Sequence, residues 1–549
     1  MRRFALWLCV IGLGATPARA ADSGDPVAGE TLYRMGVARS SAPVAGNGSI
    51  FACVRCHRRS GYGSSEGGVF VPPITAAQLF EPRRLDRTRN FKYLFQQAQP
   101  TSYWARVRQP RMRPAYADDS LAAAIRDGVD SSGAALDPAM PRYRLGDADI
   151  ADLIVYLHTL SATPAPGIDG DEIHLATIIG VGADPDSRAA LVETLRKFVA
   201  WENLHTAGDQ ARPAASPYYR AELLSAARRW TLDVWELGEQ PEDWPQALER
   251  QYQARPVFAV LGGLVPGNWA PIADFCDRRH LPCLFPNTEL PRRDGAEGAY
   301  SVYFSGGLLL EADALAAYLA TKRPAGARIV QIHATKDEGK APARRFAAAL
   351  RARLPGVALD SIEVTDPAAL AAAIANQALG SDDALILWPG AWCAAAIAAL
   401  DQAAPTAGTI ALPDDCLAAA QAALAPTLLE RTVLSDPFEL PDAVHPRAFR
   451  VRAWLNSHGV PLTHPTVQLQ AYYAATLFEA ALDQIVPDFN ADYLLEAVER
   501  EAESDLNPGL YPRLALGPDQ RFASKGARII RLDPTAASGI RPVSDWLIP

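Results

Sequence analysis

The chain has 549 residues, with 53 Lys and Arg against 62 Asp and Glu, a formal charge of −9. Charged residues at 21% and hydrophobic ones at 49% exclude a disordered or collagen-like chain, and the length suggests about three or four folding units. The acidic balance excludes general nucleic-acid binding, which needs basic surface to neutralise phosphates.

Residues 1–20 read as an export signal. Arg2 and Arg3 precede an apolar stretch, Phe4 to Gly14, and Ala18-Arg19-Ala20 is a small-x-small cleavage site. The apolar stretch is too short to span a bilayer as a helix; a retained anchor is the rival reading. Cys9 leaves with the signal. Loss of Arg2, Arg3 and Arg19 takes the charge from −9 to −12. No later run reaches spanning length, since the apolar stretch at 308–320 is broken by Glu311 and Asp313. The expectation is a periplasmic protein, cleaved near Ala20, with no stable membrane insertion and in a compartment that permits disulfides.

Residues 25–162 read as a small helical unit punctuated by Gly and Pro, and 163–171 as a linker by composition. From 172 to 549 short apolar runs alternate with Ala-rich helical stretches. Strands are expected at His174–Gly180, Trp230–Leu237, Val257–Gly263, Arg328–His333, Leu359–Val364, Ala384–Trp388 and Thr409–Leu412. Helices are expected at 187–205, 243–254, 269–279, 341–353, 367–379, 391–403 and 416–424. This alternation means α/β architecture with parallel sheets and crossover helices. Two helices near 466–485 and 491–503 follow, and Leu514–Leu532 reads as a hairpin closing on Gly517-Pro518-Asp519.

The strongest chemical signal is Cys53-Val54-Arg55-Cys56-His57. Two thiols three apart can add to the two vinyl groups of a haem, and the adjacent His then lies under the iron as an axial ligand. A zinc site would want a second Cys/His pair nearby, and none occurs before residue 158. A dithiol redox pair would want a strand before it and a helix after it, where Arg58–Gly63 reads as a loop. The pattern therefore predicts one covalent haem c on Cys53 and Cys56, with His57 as a ligand.

The second axial ligand should be a Met or a His. Met140 stands between Ala139 and Pro141, on a loop before a helix with Asp147 at its cap and Ile150, Leu153, Ile154 and Leu157 on one face. It is favoured over Met112 or a vacant position; its alternative role is a core thioether. His158 lies on the polar side of that helix and reads as a surface residue.

This region resembles class I cytochromes c. The resemblance rests on Gly29-Glu-Thr-Leu-Tyr33, the Cys53–His57 motif, Met140-Pro141-x-Tyr143 and the closing helix Asp149–Leu160. It implies that the first and last helices cross with Gly29 against an aromatic, Tyr33 and Tyr156 being the counterparts. It also implies His/Met ligation, and hence electron transfer rather than oxygen chemistry at iron. A long insertion between Gln78 and Tyr116 departs from the family. Residues 81–116 hold Arg83, Arg84, Arg87, Arg89, Lys92, Arg106, Arg108, Arg111 and Arg113 against Glu81 and Asp86. Together with Arg55, Arg58 and Arg59 these could bind haem propionates, or steer an acidic redox partner, a dehydrogenase or another cytochrome. Equally, their stems could pack on Tyr93, Tyr103 and Trp104.

The second region resembles type I periplasmic binding proteins, the branched-chain amino-acid receptor group. The matching pieces are Ile173–Gly180, Val257–Gly263 with Leu281–Pro286, Tyr300–Phe304, Arg328–His333 and Leu516–Phe522. The resemblance implies two α/β lobes closing over a small molecule. Candidate cleft residues by position are Asn268, Trp269, Asn287, Thr288, Asp337, Trp388 and Asp414; core or lobe-interface packing is the alternative for the two Trp, and helix capping for Asp414. Gly263–Asn268 lacks the hydroxyl that amino-acid binders usually carry there, so an amino-acid ligand is not supported. Cys276 with Cys283, and Cys393 with Cys416, can each bridge or stay as buried thiols. No acid/base or nucleophile constellation stands out.

The expectation is thus a multidomain chain: an all-α cytochrome c domain followed by a two-lobed α/β binding-protein-like domain. It would be an electron carrier and binding protein, not an enzyme, recognising a small molecule or a redox partner. The alternative is a receptor for an ABC-type importer with haem as sensor or accessory; a third reading is an enzyme that oxidises its bound ligand through the haem.

Overall fold

The structure is a computed structural model that describes residues 24–39, 52–66, 69–84, 112–211, 228–292, 299–322, 326–440, 446–486, 488–504 and 506–549. The chain divides into two compact units, Met1–Thr163 and Pro164–Pro549. Residues 1–20, expected to be an export signal, lie outside the described residues, as do 85–111 of the basic insertion. No helix among the described residues is long and apolar enough to cross a membrane.

The first unit is mainly helical: α1 (Pro26–Met35), α2 (Val54–His57), α3 (Ala76–Phe80), α4 (Asp118–Arg126) and α5 (Asp147–Thr159). Helix α1 starts on Asp25, whose side chain accepts the Val27 N–H, and stops on Gly36 in the left-handed region. It crosses α5 at close range. A Cβ on Gly29 would lie 2.1 Å from the Asp152 carbonyl oxygen and 2.7 Å from Tyr156 Cβ, so only glycine permits this approach. Tyr33 and Tyr156 pack with ring centroids 5.3 Å apart. Leu32, Tyr33, Leu79, Leu121, Ile125, Ile150, Leu153, Ile154 and Leu157 close the core. Two short ladders complete the unit, β1 (Ser64–Glu66) on β2 (Val69–Val71) and β3 (Arg83–Arg84) on β4 (Met112–Arg113).

The second unit holds two sheets. The first has β5 (Ile168–Asp169), β6 (Glu172–Ile179), β7 (Arg229–Glu236), β8 (Ala259–Leu261), β9 (Cys283–Leu284) and β10 (Ser301–Val302). They run in the order β10-β9-β8-β6, with β7 beside β6 in parallel and β5 on β6 antiparallel. Its helices are α6 (Pro185–Ala211), α7 (Trp244–Ala254) and α8 (Ala270–Arg279). The second sheet has β11 (Ile329–Ala334), β12 (Leu359–Val364), β13 (Ala384–Trp388), β14 (Thr409–Leu412), β15 (Thr432–Asp436), β16 (Arg528–Leu532) and β17 (Ile540–Pro542). Its order is β12-β11-β13-β14-β15-β16-β17, parallel as far as β15 and antiparallel beyond. Helices α9 (Gly307–Lys322), α10 (Asp337–Arg353), α11 (Leu370–Ala375), α12 (Cys393–Ala403) and α13 (Leu417–Ala423) connect to it. Then come α14 (Pro446–Ser457), α15 (Pro465–Ile485) and α16 (Ala491–Glu501).

The cores show which helix serves which sheet. Ala312, Leu315 and Leu319 of α9 pack with the second sheet, whereas Leu477, Phe478, Leu494 and Val498 of α15 and α16 return to the first. The chain therefore passes from one lobe to the other three times, after β10, after β15 and before β16. Both bridges form, Cys276–Cys283 and Cys393–Cys416.

The expected parallel sheets form, with β5, β16 and β17 added to them antiparallel. Part of the stretch 163–171, expected to be a linker, is strand β5. The hairpin over Leu514–Leu532 does not form as such: Gly517 and Gln520 make a turn, closed by the Ala515 N–H on the Ala523 carbonyl, but Arg528–Leu532 pairs with β15 and β17. Strand β15 and helix α14 had no expectation at all.

Candidate functional site

The thiol–imidazole motif sits on one turn of helix. Arg55 and Cys56 donate backbone N–H groups to the Ala52 and Cys53 carbonyls, and His57 donates to Cys53 at 2.8 Å. Cys53 and Cys56 are unbridged, Cys56 exposed and Cys53 half-buried. His57 is buried, and its Nδ1 lies 3.0 Å from the Pro72 carbonyl oxygen. A carbonyl only accepts, so Nδ1 carries the proton and Nε2 keeps its lone pair for a metal. Burial pushes the imidazole down to about 4 and the Cys53 thiol up to about 12.

The surroundings hold this turn rigid. Tyr33 donates its hydroxyl to the Arg58 carbonyl at 2.6 Å, Gly63 N–H donates to His57 at 3.1 Å, and Ile74 N–H to Gly61 at 2.7 Å. The Met140 loop is braced as well. Met140 N–H donates to Asp137 at 3.1 Å, Tyr143 N–H to Ile125 at 3.0 Å, and the Arg142 guanidinium to the Met140 and Leu136 carbonyls. Met140 is half-buried, whereas Met35 and Met112 are 60% and 51% exposed. The Tyr143 phenol is raised mainly by burial, then by the charges of Cys53 and Cys56. Tyr143 therefore lies near the two thiols.

These residues fit a haem. Two free thiols three apart flank a buried neutral imidazole with its outward nitrogen uncommitted, and a tyrosine from a braced loop faces the same thiols. Of the basic residues, Arg87, Arg89, Lys92, Arg106, Arg108 and Arg111 lie outside the described residues, with Tyr93, Tyr103 and Trp104. Arg113 is spent internally: it donates to the Gln78 and Pro114 carbonyls at 2.6 Å and lies 4.3 Å over the Tyr116 ring. Arg83 donates to the Pro73 carbonyl at 3.2 Å. His158 is exposed and stacks on Phe80 at 3.5 Å.

The second unit presents a different site, at the C-terminal ends of strands from both sheets. Asn268 donates to the exposed Asp337 across the lobes at 3.2 Å. Asn287 and Thr288 donate to the Gly263 and Gly267 carbonyls at 3.2 and 2.7 Å, so they brace the loop after β8. Trp269 and Trp388 are fully buried. Trp269 packs against Gly263 and Trp388 donates to Gln331 at 3.2 Å. As ligand contacts both are corrected to core residues, placed there by their large apolar rings. Asp414 lies just after β14, and its N–H donates to Glu311 at 2.8 Å. The sequence reading missed Glu311, Glu289, Asp436, Gln470 and Tyr511. The signal available was Glu311 itself, one of two acids, with Asp313, inside a mainly apolar helix.

Fold and site together define a unit whose residues fit a haem, followed by a two-lobed α/β unit. Residues 29–161 match the family model described as cytochrome c, which implies haem c. The larger unit has the type I periplasmic-binding-protein fold. It is similar to a fatty acid ABC transporter substrate-binding protein from Thermomonospora curvata, at 15% identity and TM-score 0.51 over 70% of this chain and 95% of that one. A branched-chain amino acid ABC transporter protein from Thermus thermophilus with bound valine matches at 13% identity and TM-score 0.51, over 70% and 98%. A possible leucine/isoleucine/valine-binding protein from Rhodopirellula baltica matches at 16% identity and TM-score 0.51, again over 70% and 98%. No curated protein matches in sequence.

Proposed function

We propose that this is an exported, periplasmic electron carrier with one haem c, bound covalently through Cys53 and Cys56, with His57 and Met140 as axial ligands. The observation that carries the reading is the Pro72-anchored His57, buried beside two free thiols with Nε2 uncommitted. Bound haem would supply a one-electron iron couple, and two protein ligands would close it to substrate chemistry. The Pro72 carbonyl fixes the imidazole tautomer and plane, and the Asp137–Tyr143 bracing presents Met140 without a search through loop conformers. In this reading the second unit recognises a small molecule and so couples its presence to electron flow with a periplasmic redox partner.

The test is optical. The exported protein should show a sharp low-spin c-type spectrum when reduced, and a weak far-red Met–iron band when oxidised that Met140→Ala abolishes. Haem should stay on the denatured chain and come off with Cys53→Ser plus Cys56→Ser. A high-spin, CO-reactive haem in the native protein would overturn the ligand assignment.

A further inference from the structure

Helix α9 buries two carboxylates, and their fates differ. Asp313 meets Arg345 of α10, whose Nε and Nη2 donate at 2.7 and 2.8 Å. Glu311, 4% exposed, meets no cation. Its Oε2 accepts the Asp414 N–H at 2.8 Å and the Ser435 hydroxyl at 2.6 Å. Close by are Glu289 from the loop after β9, Glu338 from the first turn of α10, Asp414 and Asp415 after β14, and Asp436 at the end of β15. Among the described residues none of Glu289, Glu311, Glu338, Asp414 and Asp415 forms an ion pair. Asp436 has Arg528 near it, and Arg528 is itself held by Glu439 at 3.1 Å. Burial and mutual repulsion raise Glu289 and Glu311 to about 8 and push Asp414 well up. Glu311 and Asp436 are buried, Glu289, Glu338 and Asp414 half-buried and Asp415 exposed; charges of one sign held out of water normally have a counter-charge.

A second observation comes from groups that are not acids. Gln470 of α15 is 5% exposed; its amide nitrogen donates to the Tyr511 hydroxyl at 2.8 Å, and its Oε1 accepts from nothing. Tyr511 is buried and spends its oxygen on that bond. Burial raises its phenol first, and it lies near enough to Asp414 and Glu311 for both to add to this. Asp414 Oδ1, sealed from solvent, is also unmatched among the described residues. An amide oxygen and a carboxylate oxygen thus stand unmet in one neighbourhood, where folded proteins leave few such groups. Phe304 and Phe438 pack on Tyr511 at 5.4 and 5.3 Å and give the same place an apolar wall.

The spacing selects the kind of cation. Among the described residues the one set of three ligand atoms close enough for a metal ion is Asp169, Glu172 and His174 on β5 and β6. That set is already neutralised by Arg229 and Arg255. The cleft carboxylates do not converge in this way, so they suit separate ammonium groups better than one ion. The aromatic wall suits the methylenes between them.

We propose that the cleft between the lobes binds a linear organic polycation, a diamine or polyamine, with its ammonium groups on Glu311, Asp414 and Glu289. This rests on the receptor reading of the second unit. The haem-loaded full chain would be titrated by calorimetry at pH 8 with putrescine and spermidine, and with leucine, valine and calcium in parallel. Saturable binding of an amine is expected, weakened about tenfold or more by Glu311→Gln and by Asp414→Asn, weakened by salt, and without change in the haem spectrum. If Glu311→Gln fails to fold, Asp414→Asn and the salt series decide. Saturation by leucine or valine but no amine overturns the polycation and leaves the receptor reading standing. Saturation by calcium alone overturns the organic ligand, and binding of no probe overturns both readings together.

Discussion

Single atoms decide the cytochrome unit. The Gly29 position has no room for a methyl group, since the Asp152 carbonyl would stand 2.1 Å from it. Gly29→Ala must therefore push α1 off α5, and it should cost about 2–4 kcal/mol of that unit's stability. Urea unfolding of the loaded protein, followed at the Soret band, measures this. A loss below about 0.5 kcal/mol would show that the helices do not cross as described. This glycine was legible in the sequence because the haem motif is a dense local signal and brings its family's helix crossing with it. The Pro72 carbonyl was not legible: a backbone acceptor leaves no residue-type mark, and Pro72 is one of two adjacent prolines. Trp269 and Trp388 misled for the opposite reason. Trp388 ends strand β13 and Trp269 caps helix α8, positions that suit a cleft, but an aromatic side chain there can turn either to the ligand or to the core, and in both cases burial favoured the core.

At the scale of elements, the sequence showed the parallel strands of the second lobe, whose apolar runs are bounded by helices. It did not show β15 or β16 as partners, because their pairing is antiparallel and separated by three helices of the other lobe, which no local period encodes. The sequence left each cysteine pair open between a bridge and buried thiols, Cys276 and Cys283 flanking a helix-to-strand turn and Cys393 and Cys416 opening helices. Cys393 opens α12 and Cys416 ends the turn that carries Asp414 and Asp415. The bridge spans 23 residues against 7 for Cys276–Cys283. Loop-closure entropy gives the longer one about 1 kcal/mol more stabilisation of the second unit. Replacing Cys393 and Cys416 by Ser should cost about 3 kcal/mol, and replacing Cys276 and Cys283 correspondingly less, by urea unfolding without reductant. The reverse order would mean that the bridges act by local packing and not through the unfolded chain.

At the scale of the molecule, the cleft ties the stability of the second unit to pH. Glu289 and Glu311 are raised to about 8 in the folded chain, through burial first and neighbouring carboxylates next, and Asp436 to about 6 through burial, against the Phe438 N–H and Arg528, which lower it. Unfolded, they would titrate in the ordinary carboxylate range. The folded state thus holds protons that the unfolded state has lost. Their contribution is complete below the ordinary range and drains as pH rises through about 6 to 8. The groups facing them are Glu338, Asp414, Asp415, Glu439 and Tyr511, with Arg528 the cation near Asp436, so on Glu311 only the Asp414 N–H and the Ser435 hydroxyl, and no cation among the described residues, offset the repulsion. The thermal midpoint of the second unit should therefore fall between pH 5.5 and 8.5. Glu311→Gln should flatten that fall and raise the midpoint at the alkaline end. A bound diamine should raise the midpoint more at pH 8 than at pH 6, because at the lower pH it must displace protons that already quiet the cluster. Calorimetric scans with and without putrescine at the two pH values test the linkage. A midpoint that is flat or rising across the range would mean that the cluster is open to water and carries its charges at no cost to the fold.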